Sequence, residues 1–183
     1  MSINSLTMQD SGVLPFLPLD GESTPYGAVL TSTAWYPLMG PGLKPNKKYE
    51  GAIRMNFKLF VTSHRLVFVN CSQGAEEEVK NIVVLYRQLV LPAGVSQPLT
   101  LEMPWIGSNY LRFAFRVLPE QTGQNGQRLN SIYTWLCDVA MEKGAPSLKD
   151  AFQLHDAIRQ ALADRTSAEG EAHQEEPLPL YTP

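Results

Sequence analysis

The side chains that most often carry acid–base, nucleophilic or metal chemistry are scattered in this chain of 183 residues. Its three histidines are His64, His155 and His173, and none of them forms a Ser/His/Asp or Cys/His grouping of the kind that activates a nucleophile. The motifs G-x-S-x-G, H-E-x-x-H, G-x-x-x-x-G-K-[ST] and G-x-G-x-x-G are absent from the sequence. The sequence therefore predicts no catalytic residues, no metal site and no cofactor.

A short motif near the end of the chain could bind another protein. Leu178-Pro179-Leu180-Tyr181 has the form L-P-x-Y, a variant of the P-P-x-Y ligand of WW domains. Proline favours a polyproline II helix, so an aromatic groove can take Pro179 while a second pocket takes Tyr181. The preceding residues 166–176 are small, polar and acidic, which predicts a disordered tail. We expect Leu178, Pro179 and Tyr181 to bind WW domains.

A basic cluster is the second candidate for binding. Lys44, Lys47 and Lys48 lie in the segment 40–51, whose glycines and prolines predict an exposed loop. Clustered ammonium groups can hold a phosphorylated lipid headgroup at an anionic membrane surface. Lysines on a polar loop are also common for solubility alone. The sequence leaves both interpretations open.

The pattern of apolar residues predicts a mostly β protein. The sequence around Ser63-His64 indicates a tight hairpin, in which His64 takes the positive φ that a two-residue turn requires. Pro37 is expected to end the first strand. An amphipathic helix is predicted over 148–162, with Ser147 as its N-cap and His155 packed on its apolar face. The predicted strands cover 26–36, 52–69 with the hairpin turn, 79–91 as one or two strands, 99–110 as a kinked edge strand, 110–118 and 129–141.

Composition narrows the classes of protein. With 44% hydrophobic residues the chain can form one core. We assign residues 1–25 to an irregular lead-in, 26–163 to the folded domain and 164–183 to the tail. The net charge of −3 argues against direct nucleic-acid binding. Because no signal peptide or spanning segment is evident, we expect a cytoplasmic or nuclear protein that can also be peripheral at membranes. Cys71 and Cys137 are expected to be buried thiols.

Three stretches resemble the GRAM domains of the WW-domain-binding protein two family. They are the hairpin 59–69, the segment Pro104-Trp105-Ile106-Gly107-Ser108-Asn109-Tyr110-Leu111, and the turn Met141-Glu142-Lys143-Gly144-Ala145-Pro146. The resemblance implies a pleckstrin-homology-like, seven-stranded, partly open barrel capped by a C-terminal helix. It also implies a noncatalytic adaptor whose partners are WW-domain proteins, either HECT-type ubiquitin ligases or transcriptional co-activators. The alternative is a module that binds phosphoinositides or a membrane surface through the basic cluster.

Overall fold

The computed structural model describes residues 2–9, 13–39, 44–48, 52–71, 79–90, 98–117, 134–141 and 148–172. Within these ranges the chain forms one antiparallel sheet and a long C-terminal helix. The strands are β1 Ser2–Ile3, β2 Tyr26–Met39, β3 Lys44–Pro45, β4 Ile53–Val61, β5 Arg65–Asn70, β6 Asn81–Leu85, β7 Leu89–Val90, β8 Leu99–Glu102, β9 Tyr110–Arg116 and β10 Thr134–Met141. A 3₁₀ turn, Tyr86–Gln88, joins β6 to β7, and α1 spans Leu148–Ala172. The predicted mostly β class is confirmed.

The strands follow the alternation of the sequence. In β4, Phe57 and Leu59 are buried, while Asn56 and Lys58, which alternate with them, are exposed. Side chains of period two point to opposite faces of a sheet, so one face of β4 meets the core, and the other meets solvent as far as Lys58. The region 79–91 contains two short strands, β6 and β7, one of the two arrangements that its sequence allowed.

The order of the strands shows that the sheet is strongly curled. Hydrogen-bonded neighbours run β1-β6-β5-β4-β2-β10-β9-β7, with β3 beside β2 and β8 beside β9. β6 and β7 are six steps apart in that order, about 29 Å in a flat sheet. The turn Tyr86–Gln88 that joins them spans at most about 14 Å between flanking residues. The two ends of the sheet must therefore approach each other.

Strand pairing does not close the sheet among the described residues, so the ladder stays open between β1 and β7. The expected count of seven strands also differs from the observed ten. β1, β3 and β7 have two residues each, and the other seven strands have four or more. The additional strands are short pairings at edges, which the sequence pattern does not reveal.

The core lies on the concave face of the sheet. Trp35 is completely buried at its centre and makes edge-to-face contacts with Phe68 and Phe115. The apolar face of α1 contributes Leu154 and Ile158 to the same cluster. Helix and sheet thus bury one continuous apolar surface, which is the main source of the free energy of folding.

Three expectations about element ends are wrong. Pro37 does not end β2, which continues to Met39. The ladder to β4 ends at Trp35, and the carbonyl of Pro37 accepts a hydrogen bond from the N–H of Asn46. The N–H and C=O groups of a strand residue point to the same side, so the N–H that proline lacks would face β3 and not β10. The ladder from β2 to β10 therefore continues past Pro37.

The predicted kinked edge strand 99–110 is also shorter, because β8 ends at Glu102 and residues 103–109 form a loop. The predicted helix end at Leu162 is wrong too, since α1 continues to Ala172. Residues 164–172 are therefore helical and not disordered. Alanine and glutamate in this stretch are good helix formers, so the polar composition that predicted a tail is equally compatible with an exposed helix.

The hairpin is present, but its turn is built differently from the prediction. Among the described non-glycine residues only Asn4 has a positive φ, so His64 does not take the left-handed conformation. Thr62 closes the turn with its hydroxyl, which accepts hydrogen bonds from the N–H groups of His64 and Arg65. The side chain satisfies donors that a tighter turn would satisfy with backbone carbonyls.

The lead-in covers part of the convex face. Phe16 is buried against Phe60 and Val67, and β1 pairs with β6. The expected irregular lead-in therefore contains one short strand. Glu22 ends the segment with its side chain fully buried and accepts two hydrogen bonds of 2.8 Å from Arg65.

No helix in the described part of the chain combines the length and the hydropathy that crossing a bilayer requires. Cys137 is completely buried, as expected, and burial raises the pKa of its thiol. Cys71 is only partly buried, because it follows the last residue of β5.

We predict that the Glu22–Arg65 pair makes stability depend on acidic pH. Burial alone would raise the pKa of Glu22, but hydrogen bonds from Arg65, Thr62 and the Leu19 N–H together lower it. At pH values above 4.5, the ordinary pKa of this carboxyl, the carboxylate makes its full contribution to stability. This contribution is lost as the pH falls toward the lower pKa that Glu22 has in the folded state. Glu22→Gln should cost about 3 kcal/mol at neutral pH, because it leaves Arg65 buried and unpaired.

Urea denaturation of the native protein and of Glu22→Gln at several pH values measures this difference. The difference in the free energy of unfolding should shrink as the pH falls below 4.5, the ordinary pKa of this carboxyl. A difference that stays constant with pH would contradict the ionic role of Glu22.

Candidate functional site

The basic cluster lies at the end of the sheet where β2 finishes. Lys44 is in β3, paired with Met39, and Lys47 and Lys48 follow in a turn. All three lysines are at the surface, with Lys44 and Lys48 well exposed. The expectation of an exposed loop is correct for Lys47 and Lys48, whereas Lys44 belongs to a strand because the chain folds back onto the end of β2.

Arg54 fixes the position of the turn that carries Lys47 and Lys48. Its guanidinium donates a hydrogen bond to the carbonyl of Lys47, while the Lys47 ammonium lies 5.8 Å from the centroid of the Tyr36 ring. Arg54 is exposed and lies opposite Ala34 on the convex face. The hydrogen bond to Lys47 places the Arg54 guanidinium next to the turn that carries Lys47 and Lys48.

A polar network lies beside the cluster on the same convex face. Arg112 donates two hydrogen bonds to Asp138, with distances of 2.7 and 2.9 Å, and the hydroxyl of Tyr36 donates a short one to the same carboxylate. Asp138 is the cross-strand partner of both Ala34 and Arg112. The network therefore ties β2, β10 and β9 together through side chains as well as through backbone.

Burial and the neighbouring charges fix the protonation states in this network. Burial, followed by the hydrogen bond to Asp138, raises the pKa of the Tyr36 hydroxyl. The hydrogen bond to Asp138 raises the pKa of Arg112. Tyr36 is thus a neutral donor and Arg112 a permanent cation. Because Asp138 accepts hydrogen bonds from both donors, the network supplies rigidity to the site.

Sequence reasoning missed this network. Tyr36, Arg112 and Asp138 sit at alternating positions of three strands that are distant in the sequence, and only the register brings them together. Arg112 lies at an alternating position of the predicted strand 110–118, which favours a place on its polar face. The partner of Arg112 was not recognisable, because strand register depends on pairing that a single sequence does not specify.

The chemistry of the described surface favours anion binding. None of the ion pairs in the described ranges involves Lys44, Lys47 or Lys48. These ranges contain no group of three or more histidine, cysteine or carboxylate residues that could hold a metal ion. The three ammonium groups and the Arg54 guanidinium, which donates to a backbone carbonyl, are cations that can attract phosphate groups.

The remaining candidate residues divide into two groups. His64 Nδ1 lies 2.8 Å from the hydroxyl of Ser63 in the exposed hairpin turn, and that hydroxyl accepts a hydrogen bond from Ser23 N–H. These contacts stabilise the turn.

His155 is mostly buried on α1, at 3.4 Å from Asp156. Leu178, Pro179 and Tyr181 of the predicted WW ligand lie outside the described residues, as do the predicted N-cap Ser147 and the rest of residues 142–147.

Comparison with known proteins adds no family assignment. No protein-family model matches the chain, and no curated protein matches it. The resemblance to GRAM domains therefore stays a prediction that the sequence motifs carry.

We predict that the Asp138 network stabilises the domain. Asp138→Ala removes the acceptor of Arg112 and Tyr36, two partly or fully buried donors, and should lower the free energy of unfolding by about 2 kcal/mol. Asp156→Ala is the matched control, because Asp156 is exposed and its contact with His155 is a long one. The control should change stability by less than about 0.5 kcal/mol. Equal effects in chemical denaturation would contradict the role of the network.

Proposed function

We propose that this protein is a noncatalytic adaptor of the GRAM type that presents Leu178, Pro179 and Tyr181 to WW-domain proteins. The observation that carries the proposal is the L-P-x-Y sequence itself. Its partners would be HECT-type ubiquitin ligases or transcriptional regulators, in the cytoplasm or the nucleus. Polyproline II recognition needs an accessible ligand with little entropy to lose, which proline provides.

The arrangement of elements supports the pleckstrin-homology-like interpretation of the domain. β2, β4, β5 and β6 pair successively as one antiparallel run, and β8, β9 and β10 form a second. β2 joins the two runs by pairing with β10. A helix then follows and packs on the concave face. Two antiparallel runs followed by a helix are compatible with the partly open barrel that the resemblance implies.

The long helix α1 supports the presentation of the ligand. Ala161 is its last described buried residue, and the helix continues to Ala172. At a rise of about 1.5 Å per residue, residues 162–172 extend the helix by about 16 Å beyond Ala161. A ligand that follows this extension in the sequence has room to lie apart from the core, which supports its presentation to a WW domain.

We predict that WW binding depends on the tyrosine of the motif. The full chain, titrated into a panel of purified WW domains by calorimetry or fluorescence anisotropy, should bind at least one domain. Tyr181→Ala should weaken that binding at least about tenfold, because one of the two pockets is left empty. Unfolding curves of the variant should match those of the native protein.

Leu180→Ala is the matched control, since Leu180 occupies the unspecified position of L-P-x-Y. It should retain the native affinity. Absence of binding to every WW domain, or equal affinity of the native protein and Tyr181→Ala, would refute the adaptor proposal.

The basic cluster supports a second function, the binding of a phosphoinositide headgroup. The specific observation is that Arg54 holds the carbonyl of Lys47 and thereby orders the turn next to Lys48. Ordered cations lose less entropy on binding than flexible ones. The resulting site would hold the domain at an anionic membrane surface.

We predict that this binding is electrostatic. Co-sedimentation with phosphoinositide-containing vesicles should fall at least about tenfold when Lys44, Lys47 and Lys48 are all changed to glutamate, and it should weaken with added salt. Lys80→Glu is the control, since Lys80 is an exposed lysine next to β6. Binding that persists in high salt, or that the triple variant retains, would refute this role of the cluster.

A further inference from the structure

The loop between β8 and β9 exposes three large apolar side chains. Trp105 is fully exposed, Ile106 is 93% exposed and Met103 is 58% exposed. Exposed apolar residues are common singly, but neighbouring large ones on a protruding loop indicate an interaction surface. We name residues 103–109 the apolar loop.

The backbone holds the apolar loop away from the body of the protein. Its base is fixed where Glu102 pairs with Tyr110, and Pro104 restricts the conformation on the way out. Gly107 has a φ of 117°, a conformation that residues with a side chain rarely adopt. A β-carbon added to Gly107 would lie 3.9 Å from its nearest neighbour, the Pro104 ring within the same loop. The loop is therefore open on that side.

The shape and composition of the apolar loop favour a lipid bilayer as its occupant. A convex tip with two fully or nearly fully exposed side chains fits a fluid phase without needing a complementary groove. Residues 103–109 contain no charged side chain, so insertion does not require a charge to lose its hydration. The indole of Trp105 is favoured at membrane interfaces, where its ring meets lipid and its N–H meets headgroups or water.

A neighbouring pair on the sheet adds charge complementarity. Tyr110 pairs with Ala140, and Ala140 pairs with Ser32, which places the base of the apolar loop level with Ser32. The next convex-face residue beyond Ser32 is the partly exposed Leu30, whose cross-strand partner is the exposed Lys58. The Lys58 ammonium, next to the apolar side chain of Leu30, is placed to contact lipid phosphates when apolar groups contact the acyl chains.

We propose that the apolar loop inserts Trp105 and Ile106 into the interfacial region of a phospholipid bilayer. This surface differs from the basic cluster. β9 begins at Tyr110, next to the apolar loop, and ends at Arg116. Arg116 is level with Pro45 of β3, because successive cross-strand partners lead from Arg116 to Thr134, Leu38 and Pro45. The six steps along β9 span about 20 Å, so the two surfaces lie at opposite ends of the strands and insertion does not use the lysines.

The native full chain contains a built-in probe for the test. Trp35 and Trp135 are completely buried, whereas Trp105 is fully exposed. In high salt, phosphatidylcholine vesicles should shift the tryptophan emission to shorter wavelength, and brominated acyl chains should quench the exposed component. Vesicle flotation should show the double variant Trp105→Ala, Ile106→Ser partitioning at least about tenfold more weakly than the native protein.

Val13→Ser is the matched control, since Val13 is another fully exposed apolar residue, and it should partition like the native protein. Thermal unfolding should be unchanged in both variants. The proposal would be overturned by unchanged emission with vesicles, by equal partition of the double variant, or by partition that high salt abolishes. An emission shift that depends on protein concentration without vesicles would also overturn it, because a second copy of the chain would then be the occupant.

Discussion

The short connection between β6 and β7 is the constraint on which the rest of the structure depends. Tyr86 donates its hydroxyl to the carbonyl of Thr62 at 2.6 Å, and the side chain of Gln88 bonds to both Leu85 N–H and the carbonyl of Arg116. These buried side chains connect one end of the sheet to the other where strand pairing does not. Because buried polar groups are costly without partners, the curl of the sheet and the satisfaction of these groups depend on each other.

The curl decides which of the described surfaces are available for function. The concave face is filled by aromatic rings around Trp35 and closed by α1, so side chains occupy the space between the sheet and the helix. The lead-in covers the convex face on one side. Along β2, β10 and β9 that face buries a small apolar cluster around Tyr36, Leu38 and Leu136, and its exposed positions include Ser32 and Arg116. Both binding surfaces proposed for the folded domain therefore lie on the convex face or on the loops at the ends of the strands, and the proposed WW ligand follows the helix in the sequence.

Local patterns predicted the parts of the fold that depend on local physics. The predicted amphipathic helix packs Leu154 and Ile158 into the core, although Phe152 in the same stretch is exposed. The sequence did not reveal that Pro37 lies within a strand, because its tolerance depends on where the neighbouring ladder ends. It placed the lysines of the candidate site correctly on the surface, but the Tyr36–Asp138–Arg112 network required the register of three distant strands.

The basic cluster and the apolar loop lie at opposite ends of β9, and this separation affects how the domain can be oriented on a membrane. A domain held at a bilayer by the apolar loop keeps Lys44, Lys47 and Lys48 at the far end of the strands, about 20 Å further from the lipid along β9. Over that distance at physiological salt, attraction between the lysines and the same membrane is largely screened. The two surfaces therefore compete as ways of orienting the domain, and only one of them can face a given flat membrane at a time.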